Sequence, residues 1–142
     1  MHGLRHLLAT ILIILAPAAM AAGTAGPDYA RVLSLLSTSQ TIVGETIAYP
    51  PGPPAKITSA IVTLVPGEST GVHKHGVPTY GYILSGSVTV DYGDHGRRVY
   101  KAGTAFMEAM DVWHDGVNSG DVPCRILVVF MGSPTAKNVI RK

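Results

Sequence analysis

The chain has 142 residues, 46% of them hydrophobic, with a formal net charge of +2 and a single cysteine. So small a charge lacks the basic footprint of a nucleic-acid binder, and one cysteine cannot build an internal disulfide framework. What remains, once an export signal is set aside, is one domain large enough to bury a core without cross-links.

The start of the chain reads as that signal. Arg5 gives a short basic beginning, the apolar run of residues 7–16 is short for a bilayer span, and Ala19-Met20-Ala21 fits the small-residue cleavage rule. Residues 1–21 are therefore expected to be removed, leaving a periplasmic or secreted protein with no stable membrane anchor. Residues 22–55 read as an N-terminal extension. Within it, residues 28–36 suit a short helix or a first strand and residues 46–49 a short strand. Pro50, Pro51, Pro53 and Pro54 then make a stiff surface connection, because proline cannot donate to a sheet ladder.

Beyond the prolines, glycine and β-branched residues dominate and no helical period appears. Residues 57–65, 72–75, 79–84, 87–92, 97–100, 104–109 and 124–131 read as strands. Pro66-Gly67, Ser85-Gly86, Gly93-Asp94-His95-Gly96, Lys101-Ala102-Gly103 and Asn118-Ser119-Gly120-Asp121 supply the turns. Many short strands with regular turns predict an all-β barrel or sandwich over residues 56–131, with residues 132–142 as a tail.

Three histidines carry the chemistry. His73 and His75 stand as His-Lys-His, and His114 follows in Val-Trp-His-Asp-Gly. Alternate residues of a strand share a face, so the pair aims two imidazoles at one point. A third imidazole from another strand completes a metal set with coordination positions left open, which is the form of a working site rather than a sealed structural one.

The spacing of these residues resembles the two motifs of a small single-domain cupin. The first runs Gly67, five residues, His73, one residue, His75, three residues, Thr79, six residues, Gly86. The second runs Gly103, five residues, Ala109, one residue, Asp111, two residues, His114, three residues, Asn118. The resemblance implies a cupin-type antiparallel β-barrel, a double-stranded β-helix or jelly roll, and a divalent metal on His73, His75 and His114. Thr79 stands where cupins place a glutamate ligand, which leaves a three-histidine site. Some cupin-fold dioxygenases hold iron(II) in this way, so the resemblance implies iron first, with manganese, nickel or zinc as alternatives. It implies a dioxygenase-like reaction on a small molecule, or else a non-catalytic module that binds a small ligand or a metal. It also implies a homodimer, which would cover exposed strand edges.

Two polar residues are candidate catalytic groups beside the metal. Thr79 could orient a water or a substrate, or merely fill a strand. Glu108 interrupts the otherwise apolar run Thr-Ala-Phe-Met-Glu-Ala. Buried, it needs a partner and could act as a replacement ligand or a general acid/base; on the outer face it would be a surface residue. Alternation groups Glu108 with Phe106 and Met110, and Thr79 with Gly81 and Ile83. Tyr80, Tyr82 and Trp113 suit core or interface positions more readily than a pocket. Lys74 should point away from the histidines, His95, Arg97, Arg98 and Lys101 should be solvated, Asn118 should fix its loop, and Cys124 should be a small buried hydrophobe.

Overall fold

A computed structural model describes residues 32–142. The signal-peptide reading of residues 1–21 and the beginning of the 28–36 element lie outside the described residues. Two antiparallel sheets account for most of the rest. In the first, β1 (Lys56–Leu64) pairs along its whole length with β8 (Cys124–Gly132), β8 with β3 (Thr79–Ser85), and β3 with β6 (Ala105–Met107). In the second, β4 (Ser87–Asp91) lies between β5 (Arg97–Lys101) and β7 (Asp115–Val117). The short β2 (His73–Lys74) pairs with β9 (Ile140–Arg141), and bridges Ser69↔Val117 and His73↔His114 tie its segment to the β7 side. This is the all-β antiparallel barrel that the motif spacing implies.

Alternation explains which side chains turn inward. β3 buries Thr79, Gly81 and Ile83, β4 buries Val88 and Val90, and β8 buries Cys124 and Ile126. These side chains join Leu64, Tyr92, Tyr100 and Phe106 in one core. Removing that apolar surface from water is the main force closing the two sheets on each other. Gly86 carries the chain from the first sheet to the second with φ of +71°, and a Cβ there would come within 2.7 Å of the Pro123 carbonyl oxygen. Only glycine meets both demands. In β3, Gly81 leaves room for the Phe106 ring, whose nearest carbon would sit 2.5 Å from an added Cβ.

Several elements differ from the sequence reading, each for a physical reason. Residues 32–36 are exposed and irregular, since a helix so short needs packing to persist. The strand expected at residues 46–49 reduces to one bridge, Gln40↔Thr46, as the prolines that follow offer no ladder donors. The 104–109 strand stops at Met107, so the alternation expected to reach Met110 ends early. The segment read as a tail folds back, and β9 closes the barrel against β2.

Candidate metal centre

His73 begins β2 and His75 lies one residue past its end. His114 immediately precedes β7. The backbones of His73 and His114 exchange a reciprocal pair of hydrogen bonds, 2.9 and 2.8 Å, so the relative position of two ligands is set by main chain. The N–H of His75 donates to the Met110 carbonyl at 3.1 Å, which fixes the third against the loop leading to His114. The three ring centroids lie 4.5, 5.0 and 5.2 Å apart.

Every Nδ1 in the set is spent on a backbone carbonyl. His73 donates to Gly71 at 2.8 Å, His75 to Asn138 at 3.0 Å and His114 to Val112 at 2.9 Å. A carbonyl only accepts, so each Nδ1 carries the hydrogen and each Nε2 keeps a lone pair. The potential ligand atoms lie within 4.8 Å of one another. Burial lowers the pKa of all three imidazoles, that of His75 to about 3, because a charged ring is poorly solvated there; for His73 and His75 a neighbouring imidazole would also repel the charge. The rings are therefore neutral at ordinary pH, the form that ligates metal.

The residues fit a metal ion on one further observation. Nε2 of His114 is buried and meets no hydrogen-bond partner among the described residues. A buried polar atom without a partner is costly, and a metal ion is the partner that a lone pair in a three-imidazole cluster suits.

Glu108 follows β6 and is buried, its backbone N–H bound to the Thr79 carbonyl at 2.8 Å. Oε1 accepts from the N–H of Ala109 at 2.8 Å, and Oε2 lies 4.0 Å from Nε2 of His114. With the imidazole neutral this is no ion pair. Burial raises the pKa of the carboxyl group, and the Tyr92 hydroxyl and the Ala109 N–H only partly offset it. Tyr92 in turn shares a 2.9 Å hydrogen bond with Tyr100, so two buried phenols stand behind the carboxyl group. Burial pushes both phenols up, Tyr100 to about 12, which keeps them protonated.

Thr79 is also buried on this wall, but its hydroxyl donates to the Val77 carbonyl at 3.0 Å. The histidines, Glu108 and Thr79 border one cavity of about 330 Å³, whose apolar lining includes Val88, Val90, Phe106, Ile126, Val128 and Phe130. Gly81 borders it as expected, whereas Ile83 belongs to the core and Met110 lies off the wall. Tyr80, Tyr82 and Trp113 do not border it. Lys74 turns away, with Nζ 5.4 Å over the Trp113 ring and 3.5 Å from Asp111. Arg98 is less solvated than expected, since it is half-buried with its guanidinium 5.9 Å from the Tyr92 ring centre. Asn118 fixes its loop by donating to the carbonyls of Leu64 and Val122, both at 2.8 Å.

Four residues near the site escaped the sequence reading. Tyr92, one residue past β4, continues the alternation of Val88 and Val90, a signal that the sequence carries. Glu45, Asn138 and Arg141 reach the site by long-range folding and leave no local trace. Glu45 accepts from the N–H groups of Met110 and Asp111, both at 2.7 Å, and so clamps the loop before His114.

No curated protein matches the chain significantly. Among solved structures, it is similar to oxalate decarboxylase, from Bacillus subtilis in work on its Mn(II) centres and on its structure at pH 4.6, and in work on the substrate binding mode of oxalate decarboxylase. Each match has 29% identity and a TM-score of 0.50, and takes in 60% of this chain and 23% of the other. The chain thus spans less than a quarter of that enzyme's length. Residues 60–130, half of the sequence, match the cupin domain. With the three-imidazole cluster lying where both motifs meet, the chain belongs to the cupin family.

Proposed function

We propose that this chain is an exported mononuclear metalloenzyme of dioxygenase-like type, acting on a small molecule that enters the cavity and binds a metal ion held by His73, His75 and His114. The observation that carries this reading is the convergence of three imidazoles whose Nδ1 atoms are all tied to carbonyls, which leaves each Nε2 free to ligate. Tied second nitrogens fix the orientation and tautomer of imidazole ligands, and three protein ligands leave room for water or substrate. When bound, the ion supplies Lewis acidity and, as iron(II), oxygen activation. The likeness to a manganese-bearing decarboxylase favours manganese(II) as the second occupant.

The protein's own groups would do the rest. Oε2 of Glu108, 4.0 Å from Nε2 of His114, is placed to take a proton from a substrate at the three-histidine centre or to return one. A raised carboxyl pKa holds the proton more firmly than an ordinary carboxylate does, which suits a group that returns one to substrate. Tyr92 and Tyr100 steady the carboxyl group from behind. Thr79, its hydrogen spent on Val77, keeps lone pairs that can accept a hydrogen bond and orient substrate. The apolar lining limits water around the reacting groups. We extend the proposal to a homodimer, because β1 is a sheet edge that exposes Ile57 and Ile61; light scattering of the mature protein tests it.

The test is elemental analysis of protein purified by its export route without a histidine tag, beside a His73→Ala/His114→Ala control. Near-stoichiometric metal that disappears in the control is expected, followed by oxygen uptake by the iron-loaded protein with one of a panel of diketones, thiols and phenols. Silence across the panel, with a ligand that instead raises the melting temperature, would favour a binding module. No metal in either protein after reconstitution would overturn the reading.

A further inference from the structure

The C-terminal strand supplies the cavity with a positive charge that neither motif contains. β9 pairs antiparallel with β2, which sets Arg141 opposite the ligand His73. Two residues before β9, the Asn138 carbonyl holds Nδ1 of His75 at 3.0 Å. Val139 and Arg141, on one face of the segment, both border the cavity. Nη1 of Arg141 donates to the Thr70 carbonyl at 3.0 Å, which anchors the guanidinium beside Gly71 and His73. A guanidinium has five N–H donors, and no acidic side chain pairs with Arg141 among the described residues.

Charge decides what this wall can receive. Apart from the histidines, the charged side chains on the cavity are Glu68, Glu108 and Arg141. Glu68 is turned to the N–H of Val65 at 2.9 Å, and Asp115 nearby is engaged by Ser69 and Thr70. A divalent ion on three neutral imidazoles keeps its full charge. On the cavity lining itself, the ion and Arg141 carry three positive charges against the two carboxylates of Glu68 and Glu108, so the cavity favours an anion. The apolar lining favours a small organic one.

We propose that Arg141 is a substrate-binding residue and that the cavity takes a small carboxylate-bearing anion, one end on the three-histidine ion and the carboxylate on the guanidinium. The inference rests on the metal reading above. Arginine suits this role because its planar fork matches a carboxylate.

The experiment uses the mature protein loaded with Co(II), whose visible absorption reports ligands entering the metal's open positions. Malonate is the carboxylate probe and imidazole the neutral probe that needs only the ion. Arg141→Gln should weaken malonate at least tenfold, in line with loss of a charge-assisted contact. Imidazole affinity should stay within about twofold, and Arg141→Lys should recover part of the malonate affinity because the charge is kept. Equal weakening of both probes would mean that Arg141 merely struts the C-terminal strand, and unchanged malonate affinity would mean that it does not reach the ligand; either result overturns the proposal. Failure of the wild type to take up Co(II) would overturn the metal reading and this proposal with it.

Discussion

Glu45 offers a sharp test of how the site is held, because one carboxylate outside the barrel clamps the loop that delivers His114. Oε2 accepts from the N–H of Met110, Oε1 from the N–H of Asp111, and the Thr41 hydroxyl adds a third bond at 2.9 Å. Glu45→Gln keeps one acceptor but turns an amide donor against another donor. A hydrogen bond to a charged group contributes about 1.5–3 kcal/mol. The position is half-exposed, so solvent screening reduces the expected loss to about 1–2 kcal/mol. That corresponds to roughly 4–10 °C in Tm for a domain of this size. Metal affinity should fall too, because the same loop receives the His75 N–H at the Met110 carbonyl.

The pH dependence has a definite sign. Burial raises the Glu45 pKa, but the Met110 and Asp111 N–H groups and the Thr41 hydroxyl outweigh it, so the folded value lies below the usual 4.5. A depressed carboxyl contributes stability that is full above its unfolded pKa and is lost as pH falls through the folded one. The gap in Tm between wild type and Glu45→Gln should be widest at neutral pH and should close below 4.5. Calorimetric scans across that window measure it. Equal melting temperatures at pH 7, or a gap that persists unchanged in acid, would refute the clamp.

Three further outcomes follow from the same geometry. Thr79→Val should leave metal content unchanged by elemental analysis and cost about 1 kcal/mol by urea unfolding, since the hydroxyl it removes bonds only the Val77 carbonyl. Gly81→Ala should destabilise by about 1–3 kcal/mol, because the new methyl meets the Phe106 ring and that ring is stacked 4.1 Å from Tyr100; a melt of the variant checks it. Cys124 is fully buried and burial raises its pKa, so a thiol reagent should leave it unmodified in the native protein and label it once denaturant is added.

Much of the barrel was legible in the sequence, and so was the metal triad. The β-branched runs and glycine turns mark the long strands, and the motif spacing brings His73, His75 and His114 together before any contact is known. The loop-fixing role of Asn118 and the burial of Cys124 were legible there too. What could not be read depends on pairing between distant segments. Ile140 and Arg141 form a two-residue strand with no local signature, and it exists because β2 offers a partner far back in the chain. Glu45 is one acidic residue in a turn until folding sets it against Met110 and Asp111. The inward orientation of Glu108 was open for a related reason: alternation groups residues by face, but only the pairing of β6 with β3 settles which face meets the interior.

The reciprocal backbone bonds between His73 and His114 bear on when the metal centre comes into being. Many small metal sites are assembled by their ion, and the chain around them unfolds when a chelator removes it. Here a sheet ladder and three carbonyls hold the imidazoles in place, so ion release and unfolding become separate events. A chelator would leave a folded barrel with a vacant nest of lone pairs, ready to be refilled. Such a receptacle imposes its geometry on whatever arrives but discriminates weakly among first-row ions that accept imidazole. Which metal the protein carries would then reflect the supply where it folds more than any preference of the barrel.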